Sequence, residues 1–142
     1  MRNFEDDSGR ARMLGVSNFK LEQLQCLWQE ARVCPRFVQN HCYAVLGWDR
    51  RVREFCQANG MVYQGFWLLT ANRHTLAATD LAQVAAQYGR TIPQIIFRFA
   101  SEVGMIPLTG TTSTEYMQAD LEVFNFRLNP AEVAWIKGLA EG

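Results

Sequence analysis

Four short segments of this 142-residue sequence combine small hydroxyls, primary amides and flat aromatic rings, with hardly a charge among them. They are Ser17-Asn18, Gln39-Asn40, Phe66-Trp67 and Thr109-Gly110-Thr111-Thr112. Amides and hydroxyls both donate and accept hydrogen bonds, which suits a neutral ligand that bears an amide. A flat aromatic ring suits stacking on a heteroaromatic ring. A loop of Gly and Thr that runs into a helix N-terminus suits a phosphate, because free N–H groups and the positive end of the helix dipole meet it there.

Each segment also has a purely structural interpretation. Ser17-Asn18 could be a helix N-cap after a strand, and Gln39 could be a polar residue at the rim of a sheet. Phe66 and Trp67 are neighbours on a predicted strand and point to opposite faces, so packing could explain at least one of them. The hydroxyls of residues 111–113 could do no more than cap a helix. Because four strand ends carry such residues together, we favour a binding site.

Short apolar runs that alternate with segments of helical period must position these residues. The runs 13–16, 37–38, 61–67 and 105–108 are predicted strands, and the second ends at Gln39-Asn40. The order of elements is β-α-β-α-β-α-α-β-α-α, with a loop of about ten residues after the third strand.

The predicted helices have recognisable starts. Thr79 or Asp80 is expected to cap one helix, and Thr91, with Pro93 in the first turn, the next. Thr112-x-x-Glu115 matches a capping box, and Asn129-Pro130-Ala131-Glu132 is a similar start.

Strands that alternate with helices of ten or more residues imply right-handed crossovers and a parallel sheet. A small doubly wound sheet and part of a (β/α) barrel are both open. In either architecture the residues just past the strand ends form the site. A complete barrel has about 250 residues and eight strands, so four strands in 142 residues make about half of one.

Composition excludes several classes of function. With 14 basic and 14 acidic residues the net charge is zero, which gives no electrostatic reason to expect nucleic acid as a partner. No apolar run reaches the roughly 18 residues that span a bilayer, so no membrane is expected. Residues 1–11 are interpreted as a polar leader that is not a secretory signal. The chain is therefore predicted to be cytoplasmic.

The cysteines and histidines do not suggest a metal site. Cysteines 26, 34, 42 and 56 form no C-x-x-C pair, and only two histidines exist to join them. Reduced, partly buried thiols are expected. His41 is expected to be a solvated loop histidine, and we assign neither it nor His74 a role.

Gly15-Val16-Ser17-Asn18-Phe19 resembles a segment that aldo-keto reductases carry at the end of their fifth strand. Gln39-Asn40, the aromatic residue that ends the third predicted strand, and the run 106–113 follow in the order and at the intervals of that family's sixth, seventh and eighth strands. The resemblance covers residues 12–142. It implies an α/β fold, namely a partial (β/α)8 TIM barrel made of strands five to eight with their helices.

The resemblance also implies roles for residues of this sequence. Ser17, Asn18 and Gln39 would hold the carboxamide of a nicotinamide cofactor, and Phe66 would stack on the nicotinamide, where the family usually has Tyr. In the loop 110–113, Gly110 occupies the position where the family often has a Lys that grips the 2′-phosphate of NADP. The remaining hydroxyl ligands there would be Thr111, Thr112 and Ser113.

Two departures from the family follow. Tyr116 lies near the position where the family often has a second phosphate-binding cation, an Arg. The resemblance implies NADP(H) as the cofactor, and the absence of both cations leaves NAD(H) open as the alternative. The family's catalytic Asp, Tyr, Lys and His sit at the ends of strands one to four, which would precede residue 12. We therefore assign this chain no catalytic residue and expect no turnover from it alone.

Three kinds of function remain as hypotheses. The first is an NAD(P)H-dependent carbonyl and alcohol oxidoreductase, present as its cofactor side, whose small carbonyl substrate binds only with the other half of the barrel. The second is a non-catalytic remnant that binds a nucleotide or a partner. The third is an interaction protein that forms a homodimer through its barrel edges, with Leu14 or Val16, Val38, and Ile106 or Leu108 pointing inward.

Overall fold

Parallel strands in chain order form the sheet of this protein. The computed structural model describes residues 9–77 and 80–140, so most of the predicted polar leader and the candidate cap Thr79 lie outside the described residues. The strands are β1 (Gly15–Ser17), β2 (Phe37–His41), β3 (Val62–Phe66) and β4 (Met105–Pro107). Their order in the sheet is β1-β2-β3-β4, and each neighbouring pair is parallel.

Helices connect each strand to the next, as parallel neighbouring strands require. They are α1 (Leu21–Glu30), α2 (Arg50–Ala58), α3 (Arg73–Ala77), α4 (Leu81–Tyr88), α5 (Ile92–Glu102), α6 (Thr114–Leu121) and α7 (Pro130–Lys137). Short 3-10 turns cover residues 44–46, 70–72, 122–125 and 138–140. None of the helices within the described residues is both long and apolar enough to cross a bilayer.

The predicted order of strands and helices is confirmed, with one addition. The segment after β3, predicted as a loop of about ten residues, contains a 3-10 turn at Thr70–Asn72 and then α3. Its side chains do not repeat at helical spacing over a long window, so periodicity could not reveal so short a helix.

Side-chain caps begin several of the helices. Thr91 accepts a hydrogen bond from the N–H of Gln94 at the start of α5, and Asn129 accepts one from the N–H of Glu132 at the start of α7, as predicted. The capping box predicted from Thr112 is wrong. Ser113 is the N-cap of α6, since its hydroxyl accepts from the N–H of Tyr116, and the helix starts one residue later.

The helices cover one face of the sheet. Along β2 and β3 partly exposed and buried residues alternate, as they do when one face packs on a core. Val38 and Tyr63 lie on the buried face with the helices. The prediction that Val38 points inward is therefore wrong, because Val38 is 0% exposed and packs in the core. Ile106 does lie on the open side and is 48% exposed.

The core fills the space between the buried face of the sheet and the helices. Helix α5 contributes Ile95, Ile96 and Phe99, all fully buried. The Trp48 ring packs against Phe99 at 5.2 Å between ring centroids, and its indole N–H donates to the carbonyl of Ile136 at 2.8 Å. Each large apolar side chain buried in this way stabilises the fold by about 1.5–3 kcal/mol.

Candidate functional site

The carboxyl ends of the strands bring three of the predicted site residues onto the open face of the sheet. Ser17 is in register with Gln39, Gln39 with Gln64, and His41 with Phe66. The Gln39 Nε2 donates to the Gln64 Oε1 at 3.2 Å. The open face therefore carries a row of a hydroxyl and two primary amides, with an aromatic ring one step nearer the strand ends.

Asn18 follows β1 in a turn that is fastened to β2. Its φ of 57° lies in the left-handed region, which Asn tolerates better than most residues. Its N–H donates to the carbonyl of Gln39 at 2.9 Å, and its Oδ1 accepts from the N–H of His41 at 3.2 Å. The Asn18 side chain is thus exposed but held beside Gln39.

Phe66 belongs to a cluster of aromatic rings at the end of β3. The centroids of His41 and Phe66 are 4.1 Å apart, and those of His41 and Trp67 are 4.4 Å apart. Trp67 is exposed and has a φ of 59°. The interpretation of His41 as a solvated loop residue is wrong, because β2 extends to His41 and its ring packs against these neighbours.

The loop between β4 and α6 holds the remaining predicted residues. The Thr111 hydroxyl oxygen accepts from the N–H of Ser113 at 3.1 Å, and Ser113 caps α6, so both hydroxyls also serve the loop itself. Thr112 and Gly110 are exposed. A carboxylate lies close by, because the Thr109 hydroxyl donates to Asp120 Oδ2 at 2.9 Å.

A cavity of about 420 Å³ joins the end of β3 to this loop. It is lined by Phe66, Trp67, Leu68, Leu69, Thr70, Phe97, Leu108, Thr109 and Gly110. The structure thus brings two of the predicted residues, Phe66 and Gly110, to one cavity. Ser17, Asn18 and Gln39 lie outside its lining, on the strands to one side, and Thr111 lines a second cavity of about 500 Å³ that also contains Asp120.

Several polar residues next to the site were not predicted. Gln64 sits beside Gln39, and the period of two along β3, two residues before Phe66, is the signal that could have identified it. Asn72 and Asp49 bond to groups far away in sequence, and no local pattern marks them. Asn40 was predicted as part of the Gln39-Asn40 segment but was given no role of its own, and its side chain bonds the turn after β1.

Behind the site, a buried phenol and a carboxylate form a hydrogen bond. The Tyr63 hydroxyl donates to Asp49 Oδ2 at 2.7 Å. Burial, together with the nearby Cys42 and Asp49, raises the pKa of Tyr63 above its ordinary value. Tyr63 therefore remains a neutral donor at neutral pH, and it orients Asp49 towards Asn40.

Comparison with known proteins gives a consistent result. The model of the aldo/keto reductase family matches residues 64–141. The chain is 27% identical over 136 residues to an aldo-keto reductase of Mycobacterium sp. (strain KMS), covering 96% of this chain and 49% of that protein. It is 30% identical over 125 residues to an uncharacterized oxidoreductase of Schizosaccharomyces pombe, covering 86% and 43%.

Solved structures share the fold of this chain over about half of their own length. The crystal structure of an aldo/keto reductase from Brucella melitensis superposes with a TM-score of 0.81 at 24% identity, over 93% of this chain and 50% of that one. MGS-M4, an aldo-keto reductase enzyme from a deep-sea metagenome library, gives a TM-score of 0.83 at 23% identity, over 93% and 49%.

The chain therefore spans about half the length of the relatives it matches. Its sheet and helices correspond to half of a (β/α)8 barrel, as the family resemblance implied. The predicted resemblance is confirmed, and the chain belongs to the aldo/keto reductase family.

Proposed function

We propose that this chain supplies the cofactor side of an NAD(P)H-dependent oxidoreductase that interconverts carbonyls and alcohols. The observation that carries the proposal is the row of Ser17, Gln39 and Gln64 on the open face, beside the Asn18 turn and the Phe66 ring. Hydroxyl and amide groups at this spacing can donate to and accept from a planar carboxamide.

Each predicted residue then has a role at the proposed site. Ser17, Asn18 and Gln39 hold the carboxamide, and the Phe66 ring stacks on the nicotinamide. Gly110 presents a loop without a side chain to the rest of the dinucleotide, and a Cβ at this position would meet no heavy atom within 4 Å. The hydroxyls of residues 111–113 lie next to it. When bound, the reduced cofactor supplies a hydride to the carbonyl carbon of a substrate.

Hydride transfer to a carbonyl also needs a proton donor for the developing alkoxide. By family resemblance, that donor and the other catalytic side chains belong to the half of the barrel that this chain does not span. We therefore propose that the 142 residues bind the cofactor but do not turn over a carbonyl substrate by themselves. A small carbonyl substrate binds only where both halves contribute loops.

Tryptophan fluorescence tests cofactor binding, because the exposed Trp67 lines the same cavity as Phe66. Titration with NADH and with NADPH is expected to quench the emission with saturation. Phe66→Ala should weaken binding, whereas Phe124→Ala, which removes an exposed ring outside that cavity, should leave it unchanged. A folded chain that shows no saturable change up to millimolar cofactor would contradict the proposal.

Turnover provides the second part of the test. With a reactive aldehyde, the chain should not oxidise NADPH faster than a control without protein. Steady oxidation above that control would show that a residue of these 142 acts as the proton donor.

A second candidate function is a dimerising interaction protein, and a surface at the β4 edge favours it. Ile106, Met117, Leu121 and Phe124 are exposed large hydrophobic side chains that line the 500 Å³ cavity at this edge. Within the described residues, β1 and β4 each pair on one side only, which leaves two strand edges for another chain. The exposed apolar surface lies at the β4 edge, whereas Ser17 and Gln39 lie on β1 and β2 at the opposite side of the sheet, so a contact at that surface is compatible with the first candidate.

A further inference from the structure

Two buried asparagines connect the loops that carry the proposed cofactor residues. Asn40, on β2, is 6% exposed, and Asn72, at the end of the turn before α3, is 3% exposed. Buried primary amides are uncommon unless all their polar atoms find partners, because an unpaired one costs about 1–3 kcal/mol. Both side chains meet that condition with bonds to backbone groups more than 20 residues away.

Asn40 holds the turn after β1. Its Oδ1 accepts from the N–H of Phe19 at 3.0 Å, and its Nδ2 donates to the carbonyl of the same residue at 2.8 Å. Phe19 directly follows Ser17 and Asn18, so this pair of bonds sets the position of the turn relative to β2. The Nδ2 also donates to Asp49 Oδ2 at 2.9 Å, which fixes the orientation of the amide.

Asn72 holds the segment after β3. Its Oδ1 accepts from the N–H of Ala44 at 2.7 Å, and its Nδ2 donates to the carbonyls of Cys42 and Leu68 at 2.9 and 2.8 Å. Cys42 and Ala44 belong to the loop after β2, whereas Leu68 follows Phe66 by two residues. This one side chain therefore ties the loop after β3 to the loop after β2.

We propose that Asn40 and Asn72 are positioning residues that preorganise the nicotinamide side of the site. Asn40 fixes the position of Ser17 and Asn18 relative to the end of β2. Asn72 fixes the position of Phe66 and Trp67 relative to the same strand end. Neither asparagine contacts the ligand. A loop already held in its binding geometry loses less conformational entropy when the ligand binds, so the clamps raise affinity. The inference rests on the proposed cofactor function.

The test compares Asn40→Asp and Asn72→Asp with Asn59→Asp in the 142-residue chain. Each replacement keeps the shape of the side chain but turns a donor into a carboxylate that faces a carbonyl. Asn59 is the matched control, because its Nδ2 also donates to a backbone carbonyl, that of Phe55 at 2.8 Å, but at the end of α2. Affinities for NADH and for ADP-ribose, which lacks the nicotinamide, are measured at a temperature where every variant is folded.

Each of the two site variants is expected to weaken NADH binding about tenfold, as the loss of a hydrogen-bonded clamp would. Binding of ADP-ribose should stay within a factor of about two, which loss of overall structure would not allow. Asn59→Asp should lower the unfolding temperature without changing either affinity. If Asn40→Asp does not fold, it is replaced by Asp49→Asn, which removes the carboxylate that accepts from both Asn40 and the Tyr63 hydroxyl, and Tyr63→Phe, which loses only the second of these bonds, is its control.

The outcomes separate this inference from the function on which it rests. Suppose that the wild-type chain binds NADH. The positioning role alone is then overturned if both site variants keep the wild-type affinity, or if they lose affinity for NADH and for ADP-ribose equally. An equal loss in Asn59→Asp would do the same. A folded wild-type chain that binds neither ligand contradicts the proposed function and, with it, the positioning role.

Discussion

A lysine at Gly110 is expected to make the loop after β4 select NADPH over NADH. No Lys or Arg occurs between Arg98 and Arg127, so the segment that forms β4, this loop and α6 contains no cation of its own. The 2′-phosphate that distinguishes the two cofactors therefore lacks a charge-assisted partner from this segment. The change Gly110→Lys supplies one.

The structure leaves room for this side chain. A Cβ at Gly110 would meet no heavy atom within 4 Å, and the φ of Gly110 is outside the left-handed region that only glycine adopts freely. Tyr116, an exposed residue in the first turn of α6, is a second position, and Tyr116→Arg keeps the backbone N–H that Ser113 caps. Neither change should strain the loop.

The size of the effect follows from the strength of a hydrogen bond to a charged group. Such a bond contributes about 1.5–3 kcal/mol, which corresponds to roughly ten- to hundredfold in affinity. Asp120 of α6, whose Oδ2 accepts from the Thr109 hydroxyl, places a negative charge near the proposed position of the phosphate and opposes phosphate binding there. We therefore expect a gain of about tenfold for NADPH, with little change for NADH, and a smaller gain at high salt.

Fluorescence titration with both cofactors measures this selectivity. Gly138→Lys is the matched control, because a side chain there also enters open space, but at the end of α7. The control changes net charge by the same amount and should leave the ratio of the two affinities unchanged. Equal tightening for NADH and NADPH, or the same gain in Gly138→Lys, would refute the assignment of this loop to the 2′-phosphate.

Three further predictions concern stability and assembly. Gly65→Ala should lower the free energy of unfolding in urea by about 1–3 kcal/mol, because its Cβ would lie 2.2 Å from the Met105 sulfur. Gly110→Ala, whose Cβ would meet no heavy atom within 4 Å, should be near neutral. An unchanged free energy of unfolding in Gly65→Ala would refute this packing. Burial raises the pKa of the Cys42 thiol from 9.0 to about 12. The stability that the neutral thiol contributes is therefore fully present below pH 9. Between pH 9 and 12 the free energy of unfolding should fall by about 1.4 kcal/mol per pH unit. Cys42→Ala should reduce that alkaline slope, and parallel curves for the two chains would argue against it. Light scattering at micromolar concentration should show either a homodimer closed through the β1 and β4 edges or a chain that aggregates. Leu121→Glu, on the exposed apolar surface, should shift the protein towards monomer. A wild-type monomer that unfolds cooperatively on heating and binds no hydrophobic dye would exclude this assembly.

Local patterns in the chain were enough to predict a parallel sheet and which residues of the proposed site would be neighbours. Apolar runs of strand length that alternate with amphipathic helices lead to a parallel sheet, and parallel strands end at a common edge. Ser17, Gln39 and Phe66 therefore had to lie near one another once their strands were recognised. The caps at Thr91 and Asn129 are equally local, since each needs only a residue three positions along.

Tertiary contacts, which no local pattern contains, decide which face of the sheet is buried under the helices and which stays open. The period of two places Val38 opposite Gln39, but only the docking of the helices decides that Val38 enters the core and Gln39 the open face. His41 shows the same limit. It belongs to β2 because its strand pairs with β3 as far as Phe66, and the rings that enclose it come from another strand.

The buried asparagines Asn40 and Asn72 are the part of the structure that the sequence predicts least well. Asn is usually an exposed residue of turns and caps, and its type alone gives no reason to bury Asn40 or Asn72. The backbone groups through which they tie one loop to another are 21 residues from Asn40 and 28 to 30 residues from Asn72, in loops that become neighbours only after the sheet has formed. The residue types along the chain thus set the strands and helices and their shared edge. The hydrogen bonds that hold the loops at that edge arise only from the folded arrangement, because their donors and acceptors come from different crossovers.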